Sequence, residues 1–205
     1  MTPGKPLHQP LILRRTGHAV WFLAAVCCAT SAIGQPSKWL DRDARFVLDE
    51  GSAGEIKLGM SVDQVAALVG QEWLTLRATF PEGRFQPVLD IASPWVDNGP
   101  ALTARISPSS RCFGYFVGSI SVFDRRFKTA EGVGPGSTLG ELRSAYGSDA
   151  LRLSVGGEEG SPPSARLDRL GLVFSLNGAG NFDDALVVVS VSVLARPTSN
   201  ASACP

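Results

Sequence analysis

The chain has 205 residues, with 19 basic and 19 acidic side chains and a formal net charge of zero. This balance argues against a nucleic-acid-binding protein, which needs a basic face. No histidine follows His8 and His18, so the later sequence has no Ser-His-Asp or Cys-His catalytic arrangement and no histidine-ligated metal site.

Residues 1–34 have the three parts of a secretory signal. Basic residues come before an uncharged apolar run over residues 19–29, which is shorter than the roughly 20 residues that a membrane-spanning helix needs. Small residues follow, and Ala32 and Gly34 occupy the positions that cleavage before Gln35 requires. We predict that the signal is removed and that general secretion delivers the protein to the periplasm or the medium.

Two alternatives to simple cleavage stay open. In the first, the apolar run remains attached as an N-terminal anchor. In the second, Cys27 or Cys28 carries a lipid, although the residues before both cysteines match a lipoprotein signal poorly.

Removal of residues 1–34 leaves 16 basic and 19 acidic side chains in 171 residues, a length that fits a single domain. It also leaves two cysteines, Cys112 and Cys204. An isolated pair of cysteines in an oxidising compartment most simply forms one disulfide bond. We therefore predict a bond between Cys112 and Cys204 that ties down the C-terminal tail, with two free thiols as the alternative.

The first predicted elements are a short strand over residues 44–48 and a helix over 61–70. Ser61 is typical of a helix N-cap, and Gln64, three residues later, completes a capping box. Apolar residues follow at helical spacing. Gly70 is typical of the residue that ends a helix.

From residue 73 onwards the apolar period changes to two. Residues 73–80 alternate as in a half-buried strand, and a turn leads to a second strand over 85–91. Pro87 predicts that this second strand lies at an edge or carries a bulge. Gly118 and Ser119 then favour a two-residue hairpin turn. Further strands are predicted over residues 102–106, 112–117, 120–123, 151–155, 172–176 and 185–194.

The signature of the first helix recurs 77 residues later, where residues 135–142 align without a gap to residues 58–65. Thr138 and Glu141 form a second capping box, and Gly147 ends the second helix. Unrelated short helices also share such caps. The common register and the strands after each copy nevertheless favour an internal repeat.

These patterns predict an α+β fold, in which short helices near 61–70 and 138–147 cover one face of an antiparallel sheet. The exported domain, residues 35–205, would consist of two similar halves, at about 44–123 and 124–196, and a C-terminal tail.

The segment over residues 56–61, with Val65 and Gly70, resembles the helix-entry motif of small exported bacterial proteins. These include the outer-membrane assembly lipoproteins of the SmpA/OmlA type and the two-repeat β-lactamase-inhibitory proteins. Residues 120–147 are similar to a segment of periplasmic proteins with the same two-module plan. The resemblance implies a sheet with one face open for binding, and it carries over no catalytic residue.

Several local patterns indicate chemistry only weakly. The glycine-rich residues 132–136 precede a helix as in a phosphate-binding loop, but they lack the lysine of a P-loop. The loop over 177–184 has oxygen ligands suited to calcium without the spacing of an EF-hand. Paired carboxylates would permit glycosidic chemistry. The candidates for such a pair are Asp90, Asp97, Glu158, Glu159, Asp183 and Asp184.

We therefore expect a non-catalytic module without a cofactor or a metal, which binds another protein or an envelope component through the open sheet face. Trp95 and Tyr115 are the predicted contact residues. A hydrolase that uses paired carboxylates is the alternative from another class, and a secreted enzyme inhibitor is an alternative within binding. No nucleic acid and no transmembrane segment after cleavage are expected.

Overall fold

A computed structural model of the protein describes residues 38–108, 114–156, 162–178 and 181–195. Two helices of eight residues each and twelve strands are present in this part of the chain. The helices are α1 (Val62–Val69) and α2 (Leu139–Tyr146), and the strands are β1 (Phe46–Asp49), β2 (Ser52–Ala53), β3 (Ile56–Lys57), β4 (Leu74–Thr79), β5 (Gln86–Ile91), β6 (Leu102–Pro108), β7 (Tyr115–Val122), β8 (Phe127–Lys128), β9 (Arg152–Ser154), β10 (Ser164–Leu167), β11 (Leu172–Leu176) and β12 (Val188–Leu194).

Eight strands form one antiparallel sheet in the order β4-β5-β6-β7-β12-β11-β10-β9. The short strands form a second sheet in the order β3-β2-β1-β8, in which β1 and β8 are parallel. The predicted α+β class is confirmed, with more strand than helix.

The two helices have the predicted caps. The Ser61 hydroxyl accepts a hydrogen bond from the backbone N–H of Gln64, whose side chain accepts one from the N–H of Ser61. Thr138 and Glu141 repeat this arrangement at the start of α2. Each box satisfies backbone groups that a helix start otherwise leaves unpaired.

The same succession of elements occurs twice along the chain. α1 is followed by a 3-10 turn and by the meander β4 to β7, and α2 by a 3-10 turn and the meander β9 to β12. The last strands of the two meanders, β7 and β12, pair at the middle of the large sheet. Similarity of the two halves beyond this order of elements stays a prediction.

The hydrophobic core lies between one face of the large sheet and a layer made of both helices and the small sheet. Val65 of α1, Leu142 of α2 and Phe127 of β8 belong to the same buried cluster as the sheet residues. One row of the sheet's covered face crosses all eight strands. This row consists of Leu74, Ile91, Leu102, Val122, Val191, Phe174, Ala165 and Leu153.

One prediction about the strands is wrong, and one strand is absent from the predicted set. The residues around Gly118 form the continuous strand β7, in which Ser119 lies opposite Arg105 and Val117 opposite Ile106. Gly118 is therefore the extra residue of a β-bulge and not part of a hairpin turn. The strand β10 over Ser164–Leu167 is the one that the predicted set lacks.

Pro87 lies in β5, an interior strand of the large sheet, whereas the sequence predicted an edge strand or a bulge at this residue. β5 pairs with β4 along its whole length, whereas its pairing with β6 covers only Val88 to Ile91. Pro87 lies just beyond this second ladder, so the backbone N–H that it lacks is not needed there.

Candidate functional site: the uncovered face of the large sheet

The second face of the large sheet has no helix or strand layer over it among the described residues. Side chains alternate along each strand, so the neighbours of the core residues point to this face. We call it the uncovered face, and it is polar instead of apolar. Its middle row consists of Thr75, Asp90, Thr103, Ser121, Ser192, Val173, Arg166 and Arg152.

Hydroxyl groups occupy the centre of the uncovered face. The Oγ atoms of Ser121 on β7 and Ser192 on β12 lie 3.1 Å apart, across the seam between the two meanders. In the next row, Ser154, Ser164, Ser175 and Ser190 follow one another across β9, β10, β11 and β12. The centre therefore offers hydrogen-bond donors and acceptors at adjacent strand positions.

One side of the uncovered face carries a charged network on β4, β5 and β6. Arg77 donates two hydrogen bonds to the Asp90 carboxylate, which also accepts one from the Thr103 hydroxyl at 2.9 Å. The hydrogen bond to Asp90 raises the pKa of Arg77, so this guanidinium stays charged.

A second guanidinium stands beside this network. Arg105 lies opposite Val88, which lies opposite Arg77 in turn. Val88 points to the uncovered face between these two arginines and is only 3 % exposed, and the aliphatic stems of arginines are able to cover an apolar neighbour. Arg105 has no ion pair within the part of the chain that the structure describes.

These side chains line a depression of about 430 Å³. Thr103 and Ser121 contribute hydroxyls, Arg77 and Arg105 contribute charge, and Phe123 contributes a ring that is 41 % exposed. Such a mixture suits a ligand group that combines negative charge with some apolar surface.

The opposite side of the uncovered face is also basic. Arg152 on β9 lies opposite Arg166 on β10. Asp168, in the turn after β10, is within 3.4 Å of the first guanidinium and 2.5 Å of the second. All three side chains are well exposed, so water screens these ion pairs strongly.

Trp95 and Tyr115 both lie away from the uncovered face. Trp95 is in the connection between β5 and β6, where its Nε1 donates to the carbonyl of Leu40 at 3.2 Å. Tyr115 is the first residue of β7 and lies opposite Pro108. It is on the same face of the strand as Val117, which faces the core. Each ring is about half exposed. Their role as partner contacts stays a prediction, and the geometry does not bring them together.

Next to Trp95, whose backbone N–H donates to the Ser93 hydroxyl at 3.3 Å, a buried charge holds the N-terminal segment. The Arg126 guanidinium pairs with Asp124 at 2.7 Å and donates to the Ser93 hydroxyl at 2.9 Å. It also donates to the carbonyls of Trp39 and Asp41, at 3.1 and 2.7 Å. The same buried guanidinium therefore holds both Ser93 of the loop and the N-terminal segment.

The glycines of the loop before α2 direct their backbone N–H groups to other protein groups, and the N–H of Gly132 donates to the carbonyl of Thr129 at 2.9 Å. The N–H of Gly134 donates to the Ser137 hydroxyl at 3.2 Å, and that of Gly136 donates to the carbonyl of Val188 at 2.8 Å. Burial lowers the pKa of Lys128, whose ammonium group is held by the Pro135 carbonyl and the same hydroxyl. The loop therefore packs against β12.

The carboxylates of a second depression, about 640 Å³ in volume beside α2, each have a partner. Glu141 accepts the cap bond of Thr138, and Asp184 pairs with Arg143. Glu131 accepts a hydrogen bond from the Tyr146 hydroxyl, which lowers the pKa of Glu131. A lowered pKa is the opposite of what a catalytic general acid needs.

Other predicted groups fall partly outside the described residues. Glu158 and Glu159 lie there, as do Cys112 and Cys204, so the disulfide bond stays a prediction. Asp97 is exposed in a loop. In the loop suggested for calcium, side-chain oxygens of Asn177 and Asp183 accept hydrogen bonds from the backbone N–H groups of Val187 and Ala185. Among the described residues, no cluster of three acidic or sulfur side chains suits a metal ion.

Neither a protein-family model nor a curated relative matches the chain. A solved structure does match, that of the uncharacterized protein yfeY from Escherichia coli, with a TM-score of 0.51 and 12 % sequence identity. The match covers 72 % of this chain and 98 % of that one. It establishes similarity of fold alone. No helix in the described part of the chain is long and apolar enough to cross a membrane.

Proposed function

We propose that the protein is a non-catalytic binding module of the periplasm or the extracellular medium, and that it binds another protein through the uncovered face. The observation that carries this proposal is the continuous polar surface across eight strands, with hydroxyls at its centre and arginines on both sides. A sheet face without a covering layer is a ready surface for a partner.

Charge indicates the chemistry of the partner. The residues after position 34 carry more acidic than basic side chains, 19 against 16. The uncovered face reverses this balance, with Arg77, Arg105, Arg152 and Arg166 against Asp90 on β5 and Asp168 in the turn after β10. Guanidinium groups bind carboxylates in two-point contacts, so an acidic protein surface complements this face.

The hydrolase alternative has no comparable support. The carboxylates beside α2 are held by a helix cap, an arginine and a tyrosine, and Asp90 is held by Arg77 and Thr103. An enzyme inhibitor remains compatible with the proposal, because inhibition is one form of protein binding.

The test is photo-crosslinking from Ser121, with a benzophenone side chain introduced at the centre of the uncovered face. The exported protein is irradiated in the native envelope and medium fractions. We expect one specific protein adduct, whose yield falls when salt screens the arginines.

Charge reversal then tests the role of the arginines. The double variant Arg105→Glu with Arg166→Glu should weaken formation of the adduct about tenfold or more. The matched control, Arg45→Glu with Lys57→Glu, changes the net charge equally but lies on the small-sheet side, and should leave the adduct unchanged. Absence of any adduct, or equal loss in both double variants, would contradict the proposal.

A further inference from the structure

The strand β4 is one edge of the large sheet, and its free side presents unpaired backbone groups. The N–H of Ala92 donates to the carbonyl of Trp73, and the pairing of β4 with β5 continues from there in regular register. Because hydrogen-bonded and non-hydrogen-bonded pairs alternate, Thr75, Arg77 and Thr79 bond to β5. The backbone groups of Leu74, Leu76 and Ala78 therefore point away from the sheet.

The free side of β4 is also apolar. Leu76 ends a row of the covered face that runs through Leu89 and Ala104, which are both buried, yet Leu76 is 64 % exposed. Beyond the strand, Phe80 and Phe85 form an edge-to-face pair, with ring centroids 5.9 Å apart, and are 65 % and 61 % exposed. The row of core residues thus ends at β4 with an apolar side chain that is exposed to solvent.

The two edges of the sheet are protected to different degrees. β9, at the opposite edge, has three residues and carries Arg152. β4 has six residues and no proline, and its one charged side chain, Arg77, is held by Asp90 of the neighbouring strand. Short strands, charges and prolines are the usual means by which proteins prevent edge-to-edge pairing. β4 is therefore longer and less protected against pairing than β9.

We infer that β4 pairs with β4 of a second copy of this chain, in an antiparallel arrangement about a twofold axis at Leu76. The outward direction of the Leu76 backbone allows the two Leu76 residues to exchange both of their N–H···O bonds. The N–H of Ala78 would donate to the carbonyl of Leu74 in the partner, twice by symmetry. The N–H of Leu74 is already engaged with Gln71.

This register is complementary to itself, which is why a second copy is the expected occupant. Each Leu76 meets its symmetry mate on the helix side of the sheet and continues the core row across the axis. On the uncovered face, Arg77 lies opposite Thr75 of the other copy, so like charges do not meet. The high exposure of Leu76 also shows that no described element overhangs this edge. The uncovered face would then continue across both copies.

The experiment measures the mass of the purified exported protein in solution by light scattering. We expect a dimer for the natural sequence. Leu76→Lys places two ammonium groups opposite each other, and Ala78→Pro removes an outward N–H that the isolated chain does not use. Both variants should be monomers with unchanged circular dichroism. The control Val155→Lys lies next to β9, at the opposite edge, and should remain a dimer.

Amide hydrogen exchange provides a second measurement. In the dimer, the amides of Leu76 and Ala78 should exchange slowly, and in Leu76→Lys the amide of residue 78 should exchange quickly. A natural protein that is a monomer in solution would overturn the inference. Slow exchange of these amides in a monomer would show that another segment of the same chain covers β4, and would overturn it as well. A dimer that survives both β4 variants would also overturn it. The result does not depend on the partner of the uncovered face.

Discussion

At the scale of single residues, the most demanding side chain is Arg126. Its guanidinium is buried. Removing such a charge from water costs several kcal/mol, on the order of the penalty for buried ions in general, unless hydrogen bonds and a counter-charge compensate. The Asp124 carboxylate, the Ser93 hydroxyl and two carbonyls of the N-terminal segment accept its hydrogen bonds. The rings of Trp39 and Phe46 lie within 5.7 and 5.2 Å of its central carbon. The segment before β1 is therefore attached through this charge and through the buried Trp39, whose Nε1 donates to the carbonyl of Ala92 at 2.7 Å.

Asp124→Asn should lower the free energy of unfolding by about 3–5 kcal/mol, because it leaves the buried guanidinium without its counter-charge. The matched control is Asp184→Asn, which removes an ion pair with Arg143 at the surface and should cost about 0–1 kcal/mol. Urea unfolding of both variants measures the two losses. Equal losses would show that the buried pair contributes no more than the exposed one.

At the scale of elements, the turn between β8 and α2 depends on a close approach of two backbone segments. A Cβ atom on Gly134 would lie 2.2 Å from the carbonyl oxygen of Phe127. The N–H of Thr129 donates to the carbonyl of Val133 at 2.8 Å, which holds the same two segments together. The glycine is thus required for space, not for an unusual backbone angle.

Gly134→Ala should destabilise the fold by about 3 kcal/mol, because the added methyl group meets a backbone atom that cannot rotate away. Gly99→Ala provides the control, since its Cβ would have no neighbour within 4 Å and surface changes of this kind stay within about 0.5 kcal/mol. Thermal unfolding compares the two midpoints. A Gly134→Ala variant as stable as Gly99→Ala would contradict the close approach.

The elements that could be predicted are those whose signals are local. Both capping boxes depend on residues three positions apart, and the alternation in residues 73–80 identifies β4 directly. The site depends on distant pairs instead. Ser121 and Ser192 are 71 positions apart, and only the strand order brings their hydroxyls together. Trp95 and Tyr115 are both exposed, as contact residues require, but strand parity places Tyr115 on the core side. The sequence of a single strand does not indicate which of its two faces is covered.

At the scale of the whole molecule, the two meanders share one core. Ile120 and Val122 of β7 lie opposite Val193 and Val191 of β12, and all four are fully buried. Both helices contribute to the same buried cluster. Neither meander with its helix has a separate set of buried residues, so we expect one cooperative unfolding transition.

Leu142→Ala tests this expectation, because the mutated helix and the fluorescent probes lie in different halves. Leu142 belongs to α2, whereas Trp39, Trp73 and Trp95 all come before β7. Removal of a buried leucine side chain costs about 2–5 kcal/mol. In urea, tryptophan fluorescence and circular dichroism should therefore shift to the same lower midpoint. A fluorescence midpoint that stays at its natural value, while the circular dichroism transition divides into two steps, would show that the halves unfold independently and that the β7–β12 seam is weaker than its buried valines indicate.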